Sequence, residues 1–486
     1  MKPNDHERPD TAGRKRLGES GSRPASASEQ SREAASPEDP PVVGFVSLGC
    51  VKNLVDSEKM LAQIAESGAI LAPDESSADT VVVNTCGFLG AAREEALEVI
   101  EELAERKRDG TLRRIVVAGC LVQRDGQSLL QMVPEIDALV GVHNRKDVAS
   151  AVWPKRKPDG GELYLGDYHA ASVANWSDQG RLRLTPTHYA YVRMSEGCNQ
   201  KCTFCTIPAI RGPLHCKPPE RIVAECHEML ADGARELILI GQDTTSYGAD
   251  ISYEPGLAGL LRLLDQQCSA ARWLRLMYVY PSIMTDEIID AIAESERVVK
   301  YIDIPLQHIN DRMLKRMNRR VTRKETEALL EKIRRRIPGV TIRTTFIVGF
   351  PGETEAEFEE LLNFARDFEF DALGTFEYSL EPDTPAVRLP HQVDEQLKRE
   401  RFERLMMAQE QLAIAAARRC VGRTFEVVVD VTGDEEEFAL GRHAGQAPEV
   451  DSECWVPDDG TVEPGDCIQA RCVDTDGIDL VVKRVE

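Results

Sequence analysis

Tyr189-Ala-Tyr-Val-Arg-Met-Ser-Glu-Gly-Cys198-Asn-Gln-Lys-Cys202-Thr-Phe-Cys205 opens as an apolar strand and ends in a loop with three cysteines spaced C-x3-C-x2-C. Three thiolates this close can hold three irons of a [4Fe-4S] cluster. The fourth iron then lacks a protein ligand and is open to a substrate or cofactor. Electron-transfer ferredoxins normally supply four cysteines. A structural zinc loop is the competing reading, although zinc also prefers four protein ligands. The strand that leads into the loop favours the cluster. Phe204, just before the last cysteine, would help to shield it.

Downstream of this loop, strand and helix patterns alternate. Strand candidates lie at 189–194, 236–241, 273–279, 300–304, 342–348 and 372–378. Six strand–helix repeats in one block predict an incomplete (β/α)6 barrel. With a charged helix near 393–418, this block spans 188–418. Polar residues at strand ends face a barrel's mouth, where barrel active sites lie. Gln242, Asp243, Gln307 and His308 hold such positions, and Gly349 begins a Gly/Pro turn after the fifth strand. Gln242, Gln307, Gly349 and Phe204 are the candidate cofactor contacts. The polar residues could instead cap the helices that follow. From 419 to 486 the pattern switches to period two with Gly-rich turns, which predicts a small all-β barrel or sandwich.

Upstream, Val42–Cys50, Thr80–Cys86 and Arg114–Cys120 are apolar strands that each end at a cysteine, with helical stretches near 54–67 and 91–106. Such alternation predicts a parallel α/β domain over 41–153. The C-terminal ends of parallel strands share one edge, where loops converge on ligands. Cys50, Cys86 and Cys120 could meet there and hold a second cluster, again with one open iron. Taken alone they could equally be buried core thiols. Residues 154–187 are polar and read as a linker. Residues 1–40 contain no Val, Ile, Phe, Tyr or Trp, too little apolar surface to offset ordering entropy, and are expected to be a disordered tail.

The chain has 486 residues, thirteen cysteines and a formal charge of −23. No run approaches a membrane span, and the N-terminus lacks the apolar stretch of a secretory signal. A cytoplasmic location is expected. There thiols stay reduced, so the cysteines point to metal or redox chemistry rather than disulfides. Cys216, Cys226, Cys268, Cys420, Cys454, Cys467 and Cys472 form no comparable motif and read as core or surface thiols. The acidic balance argues against phosphate-backbone binding as the main activity.

C-x3-C-x2-C with an aromatic before the last cysteine, after the first strand of an incomplete barrel, resembles the radical SAM superfamily. The resemblance implies that S-adenosylmethionine (SAM) chelates the open iron and is cleaved to a 5′-deoxyadenosyl radical. Ser47-Leu-Gly-Cys50-Val-Lys-Asn-Leu-Val-Asp-Ser-Glu58, Asn84-Thr-Cys86-Gly-Phe and Ala118-Gly-Cys120-Leu further resemble the N-terminal domain of the radical SAM methylthiotransferases. That places an auxiliary [4Fe-4S] cluster on Cys50, Cys86 and Cys120 and the radical SAM cluster on Cys198, Cys202 and Cys205. It implies that one SAM donates a methyl group while another yields the radical.

Gly241-Gln-Asp-Thr-Thr-Ser-Tyr-Gly248, Tyr278-Val-Tyr-Pro-Ser, Asp303-Ile-Pro-Leu-Gln-His308 and Gly441-Arg-His-Ala-Gly-Gln-Ala-Pro-Glu-Val-Asp451 resemble the branch that modifies a ribosomal protein. The expected substrate is the β-carbon of an aspartate in small-subunit protein uS12, free or in the small subunit. A reductant and a sulfur donor, neither identified by the sequence, are also implied. The alternative branch modifies a tRNA adenosine (N6-isopentenyladenosine). An alternative of another class is a non-catalytic Fe–S scaffold or electron carrier.

The C-terminal module resembles a TRAM domain of OB-like form, which binds RNA in the tRNA branch. Here residues 421–486 hold 17 Asp or Glu against 5 Lys or Arg, a net −12. RNA binding by this module is therefore not expected, whereas a basic ribosomal protein would be attracted. One departure stands out. Where the family usually reads R-G-x-x-x-S-R, this chain reads Arg211-Gly-Pro-Leu-His-Cys216-Lys217.

Overall fold

Val42–Ser47 (β1), Thr80–Thr85 (β2), Arg114–Gly119 (β3) and Ala138–Gly141 (β4) pair side by side, all parallel. Their Val/Ile/Ala runs are buried on both faces, as a sheet covered by helices on each side requires. Helices Val51–Glu66 and Gly90–Arg108 supply the crossovers. In the parallel register Ser47, Asn84 and Ala118 lie in one row, so the residues just after β1, β2 and β3 emerge at one edge.

The computed structural model describes residues 15–16, 39–154, 161–168, 176–432, 438–457 and 460–485. Most of the expected tail, 1–40, lies outside them, but Lys15–Arg16 pair antiparallel with Val46–Ser47. The chain divides into two compact units, Met1–His169 with Gly180–Leu184, and Ala170–Gln179 with Thr185–Glu486. The stretch 154–187 is more than the linker its composition suggested. Glu162–Tyr164 adds a parallel strand beside β4. Gly180–Leu184 belongs to the first unit, where Leu182 and Leu184 donate backbone N–H bonds to Glu58. Asp178 belongs to the second unit and is buried against Arg193. A three-residue strand is too short for periodicity to register, and a buried Asp carries no local sequence signal.

In the second unit, Tyr189–Arg193 (β5), Glu236–Ile240 (β6) and Trp273–Leu276 (β7) form one parallel sheet. Tyr301–Asp303 (β8), Thr341–Val348 (β9) and Ala372–Glu377 (β10) form the other. A bridge from Leu274 to Val298 joins them. These are the six expected strands in chain order, curved into an open barrel around one apolar core. Helix Glu355–Phe368 starts at a Thr354/Glu357 capping box, which satisfies its first N–H groups. The long helix Glu395–Cys420 begins at the Asp394 cap and ends just before the β module.

That module is a closed five-stranded barrel. Its strands are Thr424–Val431 (β11), Phe438–His443 (β12), Cys454–Pro457 (β13), Cys467–Asp476 (β14) and Asp479–Arg484 (β15), in the order β11-β12-β13-β15-β14. Closure removes exposed sheet edges. Among the described residues, no helix is long and apolar enough to cross a membrane.

Candidate functional site

The first unit gathers three cysteines at the exit edge of its sheet. Cys50 immediately precedes helix Val51–Glu66, Cys86 follows β2, and Cys120 opens a short helix after β3. Each has a glycine neighbour, and the packing explains why. A Cβ on Gly49 would stand 2.7 Å from Cys86 Cβ, and one on Gly87 would stand 2.7 Å from the Cys120 carbonyl carbon. One on Gly119 would meet Thr85 O at 2.6 Å. Such distances are sterically forbidden, so only glycines let the three loops close on one another.

Asn53 ties these loops together. Its Nδ2 donates to Leu48 O (3.2 Å) and Thr85 O (2.8 Å), and the Cys120 thiol donates to its Oδ1 (3.4 Å). Asn84 Nδ2 donates to Asn53 O and to Ser57 Oγ, which bonds Ser47 Oγ. The rest of the Lys52–Glu58 motif is anchored too. Asp56 is buried and pairs with Arg145 at 3.0 Å, and buried Glu58 lies 3.4 Å from Arg181. Sequence reasoning marked this stretch only as a motif. Its polar residues are the frame that positions three thiols.

In the second unit the C-x3-C-x2-C loop leaves the C-terminal end of β5. Cys198 N donates to Gly212 O, and Cys198 Sγ accepts the Gln200 N–H at 3.4 Å. Thr203 N and Oγ1 bond Met317 O and Arg316 O, while Asn318 Nδ2 bonds Lys201 O at 2.6 Å. Arg319 reaches Cys202 Sγ at 3.7 Å and stacks over the Tyr280 ring at 4.1 Å. Burial pushes the Cys198 and Cys205 thiols up to about 12. Without a cation they stay protonated, and a bound iron would reverse that balance. Among the described residues, no three Cys, His, Asp or Glu side chains converge as ligands of one ion do. A cubane asks for less convergence, since each thiolate binds a different iron. The donor set thus fits an iron–sulfur cluster.

Behind the loop lies a buried, charge-balanced network. Arg193 makes a bidentate pair with Asp178 (2.7 and 3.0 Å) and also reaches Glu196. Arg211 and Gln242 Nε2 both donate to Glu196 Oε1, at 2.7 and 3.0 Å. Lys217 joins Asp178 and Glu225 under the Trp176 ring. Three cations meet three carboxylates, which is what full burial demands. The unusual Lys217 is thereby explained, because its ammonium satisfies two carboxylates. Cys216 is a core thiol that accepts the Gly248 N–H at 3.3 Å, and burial holds it protonated.

The other predicted contacts divide. Gln242 has a buried Oε1 with no partner among the described residues, as does Ser195 Oγ beside Gly241. Gln307 has φ 72° and Tyr278 φ 62°. Left-handed backbone at non-glycine residues is costly and clusters at working sites. Both follow strand ends at the same mouth. Phe204 packs edge-on to Phe350 within an apolar cluster. Gly349 has φ 70°, and the space its side chain would take is filled by the stem of Lys398. Its turn is held by Glu353, whose carboxylate accepts the Gly349 and Phe350 N–H bonds and pairs with Arg401 at 3.0 Å. His308 is fully buried and caps backbone N–H groups of Ile309 and Asn310.

The β module meets the opposite end of the barrel, at the strand starts. Arg442 bonds Glu236 (2.9 Å) and, bidentately, Asp430, which also bonds His188 at 2.7 Å. Glu236 is shared with Arg275. Tyr189 and Tyr301 donate to Glu449 (3.0 Å) and Asp451 (2.7 Å). The Gly441–Asp451 motif is therefore an internal seam, and several of the module's carboxylates are spent on it.

A cysteine loop at the mouth of an incomplete six-stranded barrel, with a TRAM-like module behind it, defines a radical SAM enzyme. Residues 192–365 match the Radical SAM superfamily, 421–485 the TRAM domain, and 42–141 the uncharacterized protein family UPF0004. The "Ribosomal protein uS12 methylthiotransferase RimO" of Trichlorobacter lovleyi is 41% identical over 91% of this chain and 98% of its own. That of Anaeromyxobacter sp. is 42% identical over 90% of this chain and 91% of its own. The chain belongs to the ribosomal protein uS12 methylthiotransferase family, and so to the radical SAM methylthiotransferases. Among solved structures, the radical SAM methyltransferase TsrM from Kitasatospora setae, with cobalamin and a [4Fe-4S] cluster bound, superposes with a TM-score of 0.50. It is 15% identical, over 82% of this chain and 81% of that one, a likeness of fold alone.

Proposed function

We propose that this enzyme methylthiolates the β-carbon of an aspartate in small-subunit ribosomal protein uS12, using two [4Fe-4S] clusters. The observation that carries the reading is the second set of cysteines. Cys50, Cys86 and Cys120 exit adjacent parallel strands with glycines that let their loops touch. Core thiols would not need that closure. In this reading Cys198, Cys202 and Cys205 hold the radical SAM cluster, and Cys50, Cys86 and Cys120 hold the auxiliary one. When bound, the first cluster with SAM supplies a 5′-deoxyadenosyl radical for hydrogen abstraction, and the second is the site of sulfur delivery.

The protein's own residues bind, orient and exclude water. Arg319 sets a positive charge 3.7 Å from Cys202 Sγ and is held there over the Tyr280 ring. Glu196 anchors Gln242 and Arg211, which keeps Gln242 at the mouth with its Oε1 ready to accept a bond from a ligand. Phe204 and Phe350 keep water from one side of the cysteine loop.

The test is anaerobic reconstitution and chemical reduction, followed by reaction with SAM and sulfide. uS12 and an anticodon-loop RNA are offered in parallel, and products are read by mass spectrometry. A methylthio adduct on an aspartate of uS12, and about eight irons per chain, are expected. Replacing Cys50, Cys86 and Cys120 by Ala should leave about four irons and 5′-deoxyadenosine formation, but no adduct. An adduct on RNA alone would overturn the substrate. About four irons in the unaltered enzyme would overturn the second cluster.

A further inference from the structure

Two segments are hydrogen-bonded to the cysteine loop, and both carry cations with no ion-pair partner among the described residues. Lys315–Arg320 is fixed through the Thr203 and Lys201 bonds already described, and Pro385–Arg388 through Ala386 N to Thr203 O at 2.9 Å. From them Lys315, Arg320 and Arg388 reach solvent, alongside Lys201 of the loop and Lys324 just beyond. None of the five has a carboxylate within ion-pair distance among the described residues. By contrast, neighbouring Arg312 and Arg323 are paired with Glu357 and with Glu327 and Glu360. The acidic residues flanking the first segment hold backbone N–H groups. Asp311 accepts the Arg323 N–H at 2.6 Å, and Glu325 accepts the Thr322 N–H at 2.8 Å.

In a chain of formal charge −23 this rim is an exception, and it stands at the end of the barrel opposite the acidic module. Clustered exposed cations repel one another, and a surface that carries them favours a polyanion. The proposed substrate is itself a basic protein, which a cationic rim would repel if it arrived alone. The polyanion that accompanies it in the small subunit is ribosomal RNA.

We propose that the Lys201, Lys315, Arg320, Lys324 and Arg388 rim binds the phosphate backbone of RNA beside the target, so that the preferred substrate is uS12 within the small subunit. The inference rests on the uS12 reading and refines it. It also separates roles: RNA contact belongs to the barrel mouth, not to the acidic β module. The two poles orient the enzyme, with the mouth drawn to phosphates and the module repelled.

The experiment uses reconstituted holoenzyme, purified small subunits lacking the modification, and free uS12. The variants are K315E/R320E/R388E and the milder K315Q/R320Q/R388Q. All three positions are exposed and outside the cluster loop, and equal iron content and 5′-deoxyadenosine formation would report intact folding. The unaltered enzyme should bind subunits with a strong salt dependence. The Glu variant should lose about tenfold or more in affinity and in the rate on subunits, and the salt slope should flatten by about two to three units. The Gln variant should fall between. Its rate on free uS12 should not fall.

Unchanged binding and rate on subunits in both variants would overturn the inference. So would faster modification of free uS12 than of subunits by the unaltered enzyme, with the uS12 reading left standing. If 5′-deoxyadenosine formed but uS12 were modified in neither form, the substrate reading itself would fail and the rim proposal with it.

Discussion

Asn53 illustrates how much one side chain can organise. It bonds the carbonyls of two loops, and its Oδ1 accepts the Cys120 thiol. Asn53→Ala leaves those buried groups unsatisfied and should cost about 2–3 kcal/mol in the first unit. Denaturant unfolding checks this, and iron content after reconstitution should drop while the cysteines remain. At Gly349, a candidate cofactor contact, the positive φ and the packed stem of Lys398 supply a packing reason for glycine. Lys217 was legible only as a departure. Its ammonium, shared by Asp178 and Glu225, depends on residues 39 and 8 positions away.

At the scale of elements, the turn after β8 carries a buried titratable group. His308 Nδ1 accepts two backbone N–H bonds, at 2.9 and 3.0 Å, and burial lowers its pKa from 6.5 to about 3. The unfolded chain therefore takes up a proton that the folded state refuses. The stability His308 contributes is complete above pH 6.5 and is lost as pH falls toward 3, at about 1.4 kcal/mol per unit. Buried Glu353, 3.8 Å from His308 and raised to about 7, acts in the opposite sense over this window, so the His308 share is read as a difference. Between pH 7 and 5 the unaltered protein should lose stability relative to His308→Asn, whose Oδ1 can accept the same bonds. The half-buried His443, lowered to about 4, acts in the same direction as His308. The six barrel strands were readable because each lies in a run of apolar positions bounded by turn residues; even Tyr301–Asp303, with three residues paired, is flanked by Val298, Val299 and Ile304. Glu162–Tyr164 was not, because an edge strand of three residues has no period to read.

The second unit as a whole depends on the seam between barrel and β module. Arg442 is buried and shared by Glu236 and Asp430. Arg442→Ala leaves buried Glu236 and half-buried Asp430 short of a partner and should cost about 3–5 kcal/mol. Removing residues 421–486 would expose the same charges at the strand starts. Thermal unfolding and limited proteolysis should show a destabilised barrel rather than an independent one. The seam also revises the electrostatic argument from composition. Asp430, Glu449 and Asp451 were counted toward a surface that would attract a basic partner, yet each is bonded to the barrel, Asp430 through His188.

The sequence by itself determined the order of domains, the strand count of the barrel, the two cysteine sets and the family, because these are written in local patterns of apolar runs, turns and spacing. Tertiary structure alone decided what lies beside what. It paired Lys217 with Asp178 and Glu225, set the Gly441–Asp451 motif against the strand starts, and brought Lys315, Arg320 and Arg388 to the rim of the cysteine loop. Burial and ion pairing depend on distances in space, which a linear pattern does not encode.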